Sequence, residues 1–186
     1  MAGAQAPLVG VLALQGDFEA HGALLRELGA RVREVRVPAD LEGLDALILP
    51  GGESTTMTLG IEREGLREPL RAACERIPVL GTCAGMIMLD REHLGVLDMR
   101  CERNAFGRQV HSFEGDVTLA GFAEPFHGIF IRAPWVAELG AAVEPLGSVD
   151  GHPVAVRRAR IVAVAFHPEL IGEERLHRGL LEEARG

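Results

Sequence analysis

The feature that most constrains this chain is a repeated pairing of a short apolar run with an amphipathic stretch along its first half. VGVLAL (9–14) has the character of a buried strand, and residues 17–28 follow with Leu24, Leu25 and Leu28 on the inner side of a helix that Gly29 ends. RVREVRV (31–37) alternates as an outer strand. DALILP (45–50) reads as a strand running into GGEST, where Ser54 or Thr55 can cap a short helix, and a further helix is expected over about 64–76. IPVLGT (77–82) is the next strand, and AGMIMLD opens another helix after Cys83. Such alternation implies an α/β fold, a mostly parallel central sheet with helices on both faces and functional residues at the carboxyl ends of its strands.

The second half is richer in strands: DVTLA (116–120), GIFIRA (128–133), PVAVRR (153–158) and RIVAVAF (160–166), with a terminal helix over about 173–184. These strands are expected to extend the same sheet, with room for a small antiparallel flap. No repeat, low-complexity tract or linker interrupts the chain, and 186 residues at 47% hydrophobic composition suit one domain over 1–186.

Composition excludes several functions. A net charge of −8 with no basic block gives no footprint for nucleic acid or an anionic membrane. The PLVGVLAL run is too short to span a bilayer, and no basic residue precedes Arg26, so a cytoplasmic protein is expected. Cys74, Cys83 and Cys101 are an odd set, so a disulfide framework is not expected. The chain has 19 basic residues, all Arg; without Lys it can hold neither a Walker-A lysine nor a Schiff-base lysine. A single Asn and three Gln fit a thermophilic source, or a biased genome.

G-x-C-x-G at 81–85, after a strand and opening a helix, has the layout of a nucleophile elbow. That turn demands a strained nucleophile and small neighbours, which Gly81, Ala84 and Gly85 supply, and the amide of Ala84 would face an oxyanion formed beside Cys83. Free cysteines are more often small core residues. Cys74 fits that description, since Leu66, Leu70, Cys74 and Ile77 recur at helical spacing, and Cys101 carries no flanking signal.

A thiol nucleophile needs a base and an orienting group. In IVAVAFHPEL a buried strand ends at His167, and Pro168 is expected to keep the segment extended so that His167 and Glu169 point the same way. The other histidines form no HExxH or Cys/His pattern, so no metal or other cofactor is expected. In PGGES (50–54) two glycines after a strand leave backbone free to approach a ligand, and Gly51 or Gly52 could supply a second oxyanion donor. Each signal is weak alone, but all three fall at strand ends of one expected sheet.

GTCAG (81–85), HPE (167–169), LPGGESTTM (49–57), ERNAFGRQ (102–109) and FIRAP (130–134), with LALQG (12–16), resemble the glutaminase subunits of pyridoxal 5'-phosphate synthase, among the class I, triad-type glutamine amidotransferases. The likeness runs from about Val9 to Glu169. It implies a flavodoxin-like three-layer fold and hydrolysis of L-glutamine to L-glutamate and ammonia, with the ammonia passed to a barrel-shaped synthase subunit that makes pyridoxal 5'-phosphate, vitamin B6. By the family pattern Cys83 is the nucleophile, His167 the general base and acid, and Glu169 the orienting carboxylate. Gly51, Gly52 and Glu53 match its glutamine-contacting loop, and Arg103, Ile131 and Arg132 its other glutamine contacts. The chemistry of a free amino acid suits them, since a carboxylate fits an Arg fork and an ammonium a carboxylate. Met86 and Ile87 stand where histidine-biosynthesis and anthranilate-type glutaminases carry Gln, which argues against those branches. Two other readings are a stand-alone cysteine hydrolase or stress protein of the DJ-1/PfpI type and a non-catalytic regulatory subunit.

Overall fold

The computed structural model describes residues 5–106 and 112–186, so the last three residues of ERNAFGRQ and His111 lie outside the described residues. Seven strands form one sheet in the order β2-β1-β3-β4-β11-β10-β9: β1 Leu8–Leu12, β2 Arg31–Val35, β3 Ala46–Leu49, β4 Val79–Thr82, β9 Glu144–Val149, β10 His152–Arg158 and β11 Ile161–Val164. From β2 across to β11 every pairing is parallel, while β10 and β9 join antiparallel. Helices α1 (Phe18–Glu27), α2 (Ser54–Arg63), α3 (Arg67–Cys74), α4 (Ala84–Met88) and α5 (Arg175–Arg185) complete the frame. The α/β class expected from the sequence is the class observed.

The core lies on the central strands. Every residue of β3 is fully buried, and Leu47, Ile48 and Leu49 each contribute about 1.5–3 kcal/mol of apolar burial. The outer strand β2 ends at Val35 rather than Val37 and buries only Val35 fully, without the in-out alternation expected for 31–37. Cys74 is buried in this core, and burial pushes its thiol up to about 12, as a packing residue should be.

Several expectations need correction. Glu53, not Ser54 or Thr55, is the N-cap of α2: its carboxylate accepts from the Thr55 and Thr56 amides at 3.0 and 2.7 Å. The helix expected over 64–76 begins only at Arg67, because Gly65 (φ 67) first ends α2 in the left-handed conformation. DVTLA is a strand only as far as Val117, within β6 (Ser112–Val117). β5 (Met99–Glu102), β8 (Trp135–Leu139) and β9 were not read from the sequence. For β9 a signal existed: Asp150 and Gly151 (φ 51 and 81) form the hairpin turn to β10, and Asp-Gly between strands marks such turns.

The strand-rich half does extend the sheet, through β11, β10 and β9, and it also builds two antiparallel ribbons: β5 with β8, and β6 with β7 (Phe126–Ile131). An aromatic cluster ties the ribbons together: Phe106, edge-on to Trp135 of β8 at 5.1 Å, also meets Phe113 of β6 at 4.9 Å and Phe130 of β7 at 5.8 Å.

Candidate active site

Four adjacent strands, β1, β3, β4 and β11, deliver their carboxyl ends to one cleft of about 420 Å³. β1 lies between β2 and β3, so the chain order reverses there, which is where open α/β sheets place ligands. Cys83, His167, Glu53, Arg103, Ile131 and Arg132 line the cleft, along with Ala84 and Gly52.

Cys83 has φ 47 and ψ −106, a backbone that a non-glycine residue adopts only under constraint. Its amide bonds the Val164 carbonyl at 2.8 Å, and Met86 and Ile87 donate to its own carbonyl, so strand and helix hold the turn from both sides. A Cβ on Gly85 would strike the Leu49 carbonyl oxygen, and one on Gly81 would come within 2.9 Å of the Gly85 oxygen, so the elbow needs glycine at both places. Ala84 opens α4, and its N–H has no partner within the helix.

His167 is 3% exposed, and its amide is fixed by the Ile129 carbonyl of β7 at 2.9 Å. Pro168 does not keep the segment extended. A 3-10 turn over Pro168–Ile171 follows instead, and it swings Glu169 back beneath the imidazole, where Oε1 meets Nδ1 at 2.8 Å. Burial disfavours the charged imidazole, but hydrogen bonds to Asp17, Cys83 and Glu169 outweigh it and push His167 up to about 12. Burial pushes the Glu169 carboxyl up, opposed by its bond to His167.

Asp17 was missed as a site residue. It precedes α1 like an ordinary cap, yet makes no side-chain cap bond; its Oδ2 lies 3.2 Å from His167 Nδ1. An Asp used in this way looks identical in sequence to a capping Asp. Asp17, His167 and Glu169 bring three possible ligand atoms within 4.8 Å of one another, with His167 Nδ1 facing both carboxylates. His21, Thr82 and His177, buried behind Glu169, were also missed.

The remaining expected residues fall around this row. Gly51 lies against the imidazole, where a Cβ would strike Cε1, and its carbonyl accepts from the Asp17 amide at 3.1 Å. Gly52 (φ 149) approaches the side chain of Gln15, whose Oε1 accepts from the Glu53 amide at 2.6 Å. The Thr56 hydroxyl and the Thr55 and Thr56 amides hold the Glu53 carboxyl down to about 2, so it stays ionised as both cap and cleft wall. Arg103 donates to Ser54 Oγ and Thr55 Oγ1 at 3.2 and 3.0 Å, which ties the ribbon end to α2. Ile131 turns its carbonyl to Cys83 Sγ at 3.8 Å and leaves its side chain 37% exposed, and Arg132 follows at φ 44.

A mostly parallel sheet with flanking helices, and a cysteine elbow, a histidine and a carboxylate at its strand ends, is the layout of a triad-type glutamine amidotransferase. The chain belongs to the SNO glutamine amidotransferase family, whose model matches residues 11–185. It is 52% identical over 186 residues to the pyridoxal 5'-phosphate synthase subunit PdxT of Mycolicibacterium vanbaalenii, covering 93% of this chain and 95% of that one. It is 51% identical to the PdxT of Thermus thermophilus, covering 95% and 97%. A crystal structure of a glutamine amidotransferase superposes with a TM-score of 0.87 at 48% identity, over 95% of this chain and 98% of the other. PurLQS of Thermotoga maritima shares the fold at a TM-score of 0.76 and 17% identity.

Proposed function

We propose that this chain is the glutaminase subunit of a pyridoxal 5'-phosphate synthase, hydrolysing L-glutamine at Cys83 and passing the ammonia to a synthase subunit. Family membership and relatives at about half identity over nearly their full length support the assignment. The observation that carries the chemistry is the strained Cys83 lining one cleft with a His167 that is bonded to Glu169 at 2.8 Å.

Glutamine enters with its α-carboxylate toward Arg132 and Arg103 and its ammonium toward Glu53, with Asp17 a second carboxylate on the same wall. Cys83 Sγ attacks the side-chain amide carbon as its proton passes to His167 Nε2, and the oxyanion is met by the Ala84 amide and by Gly51 or Gly52. His167 gives its Nε2 proton to the departing nitrogen, ammonia leaves, and a glutamyl thioester remains. Water deprotonated by His167 then cleaves the thioester, glutamate departs, and the thiol and imidazole return to their starting state.

The core cluster runs from β1 to α5, which supports one glutaminase domain over 1–186. Three free, buried cysteines suit the reducing cytoplasm. Among the described residues no helix is long and apolar enough to cross a membrane. The family match speaks against the DJ-1/PfpI reading, and the intact Cys83, His167 and Glu169 row against a non-catalytic subunit.

The test is glutamate release from glutamine by the purified chain, alone and mixed with the synthase subunit. Activity should appear or rise on mixing and fall by roughly 10³-fold or more in Cys83→Ala with the fold unchanged. Activity retained in Cys83→Ala would remove the nucleophile assignment. No activity in either condition, beside a synthase competent on free ammonia, would return the chain to a non-catalytic role.

A further inference from the structure

Behind the Cys83, His167 and Glu169 row lies a second set of polar groups that the reaction above does not use. His21 on α1 and His177 on α5 are both fully buried, and His21 Nδ1 lies 2.8 Å from His177 Nε2. The other nitrogen of His21 faces two oxygens, Thr82 Oγ1 at 3.1 Å and Glu169 Oε2 at 3.4 Å. Glu169 Oε2 and His177 Nδ1 are buried with no hydrogen-bond partner among the described residues. Leaving such groups unmatched costs stability, so the protons should be placed to limit that cost.

Burial lowers the proton affinity of both rings, His177 to about 4 and His21 well below its ordinary value with further help from His177 and His167, so both are neutral. A neutral pair has two arrangements. In one, His177 Nε2–H donates to His21 Nδ1, and His21 Nε2–H is shared between Thr82 Oγ1 and Glu169 Oε2. The unmatched atom is then His177 Nδ1, a bare lone pair. In the other, His21 Nε2 accepts from the Thr82 hydroxyl at 3.1 Å with the same lone-pair side facing Glu169 Oε2 at 3.4 Å, and His177 Nδ1–H is directed at the Glu173 backbone. Only the first turns a donor toward Glu169 Oε2, which has no other partner among the described residues, where the second sets a lone pair against that buried carboxylate oxygen.

We propose that His21 is a positioning residue for the glutaminase reaction: its Nε2–H holds Glu169 from behind, in a tautomer that His177 sets, so that Glu169 keeps His167 aimed at Cys83. This rests on the assignment of Cys83, His167 and Glu169 made above. His21 and His177 are separated by 156 residues and come from the first and last helices, so the pair also fixes where both ends of the frame sit against the site. An orienting carboxylate needs support of its own, because a misplacement of about 1 Å in such a row can cost on the order of 100-fold in rate.

The test has two arms on the full chain with its synthase partner. In the first, nitrogen-15 spectra of labelled histidine at neutral pH should show His21 and His177 both as neutral Nε2–H tautomers. A His21 proton on Nδ1, or a charged His21, would overturn the proposal without any variant having to fold. In the second, His21→Leu should lower kcat by roughly ten-fold or more with KM nearly unchanged, and His21→Gln, which can still donate to Glu169, should recover much of the loss. A folded His21→Leu with wild-type kcat, or a His21→Gln no better than it, would overturn the proposal. Activity surviving in Cys83→Ala would instead sink the underlying assignment, so the two failures are distinguishable.

Discussion

The strand ends of β1, β3, β4 and β11 and the two antiparallel ribbons face one cleft from different sides, and they are built to different standards. The strand ends rest on almost wholly buried strands, parallel to every neighbour except where β11 meets β10, and the elbow among them leaves no room for a single added carbon. The ribbons are two-stranded, alternate buried with exposed residues, and lean on an aromatic cluster. Under the proposed mechanism bond making falls on the strand-end part, where small displacements are costly, and recognition of the substrate carboxylate on the ribbon ends that carry Arg103 and Arg132. The division predicts that damage to the first appears in folding and kcat, and damage to the second in KM.

The sharpest way to break the comparison is a single carbon. Gly85→Ala places a Cβ against the Leu49 carbonyl, backbone on backbone, and should destabilise the chain by about 3 kcal/mol or more in a denaturant titration. A small loss there would mean that the elbow is looser than its geometry. Next in size, Arg132→Ala should raise KM for glutamine by roughly 10- to 100-fold with kcat little changed, the worth of a charged hydrogen-bond partner of a carboxylate. A kcat loss at constant KM would move Arg132 into the reacting row. Smallest is Gly115→Ala on β6, where an added Cβ meets nothing within 4 Å and the backbone has no positive φ. Its stability should change by less than about 0.5 kcal/mol, and a loss as large as that of Gly85→Ala would erase the contrast between sheet and ribbon.

The same contrast separates what was legible in the sequence from what was not. The parallel strands are short, largely apolar runs, so β1, β3, β4 and β11 and the glycine-flanked elbow between β4 and α4 could be read locally. The ribbon strands β5 and β8 are short, and β5 carries two charged residues among its four, so no run announces them. HPE pointed to two side chains that do meet, for a reason that does not hold: the contact between His167 and Glu169 is made by a 3-10 turn rather than by extended alternation. Ser54 and Thr55 looked like caps by residue type, but Glu53 sits one residue earlier with a carboxylate long enough to reach two amides.

The sequence by itself determined the α/β class, the cysteine at a crowded strand-to-helix turn, the histidine at the end of a buried strand and the absence of lysine chemistry, because each depends on neighbours within a few residues. Only the tertiary structure decided the order of the strands, the turning of Asp17 from helix cap to imidazole, and the meeting of His21 with His177 behind Glu169. Those contacts join segments far apart in the chain, and their partners are chosen by how crossover helices pack on the sheet, a choice that local residue patterns do not encode.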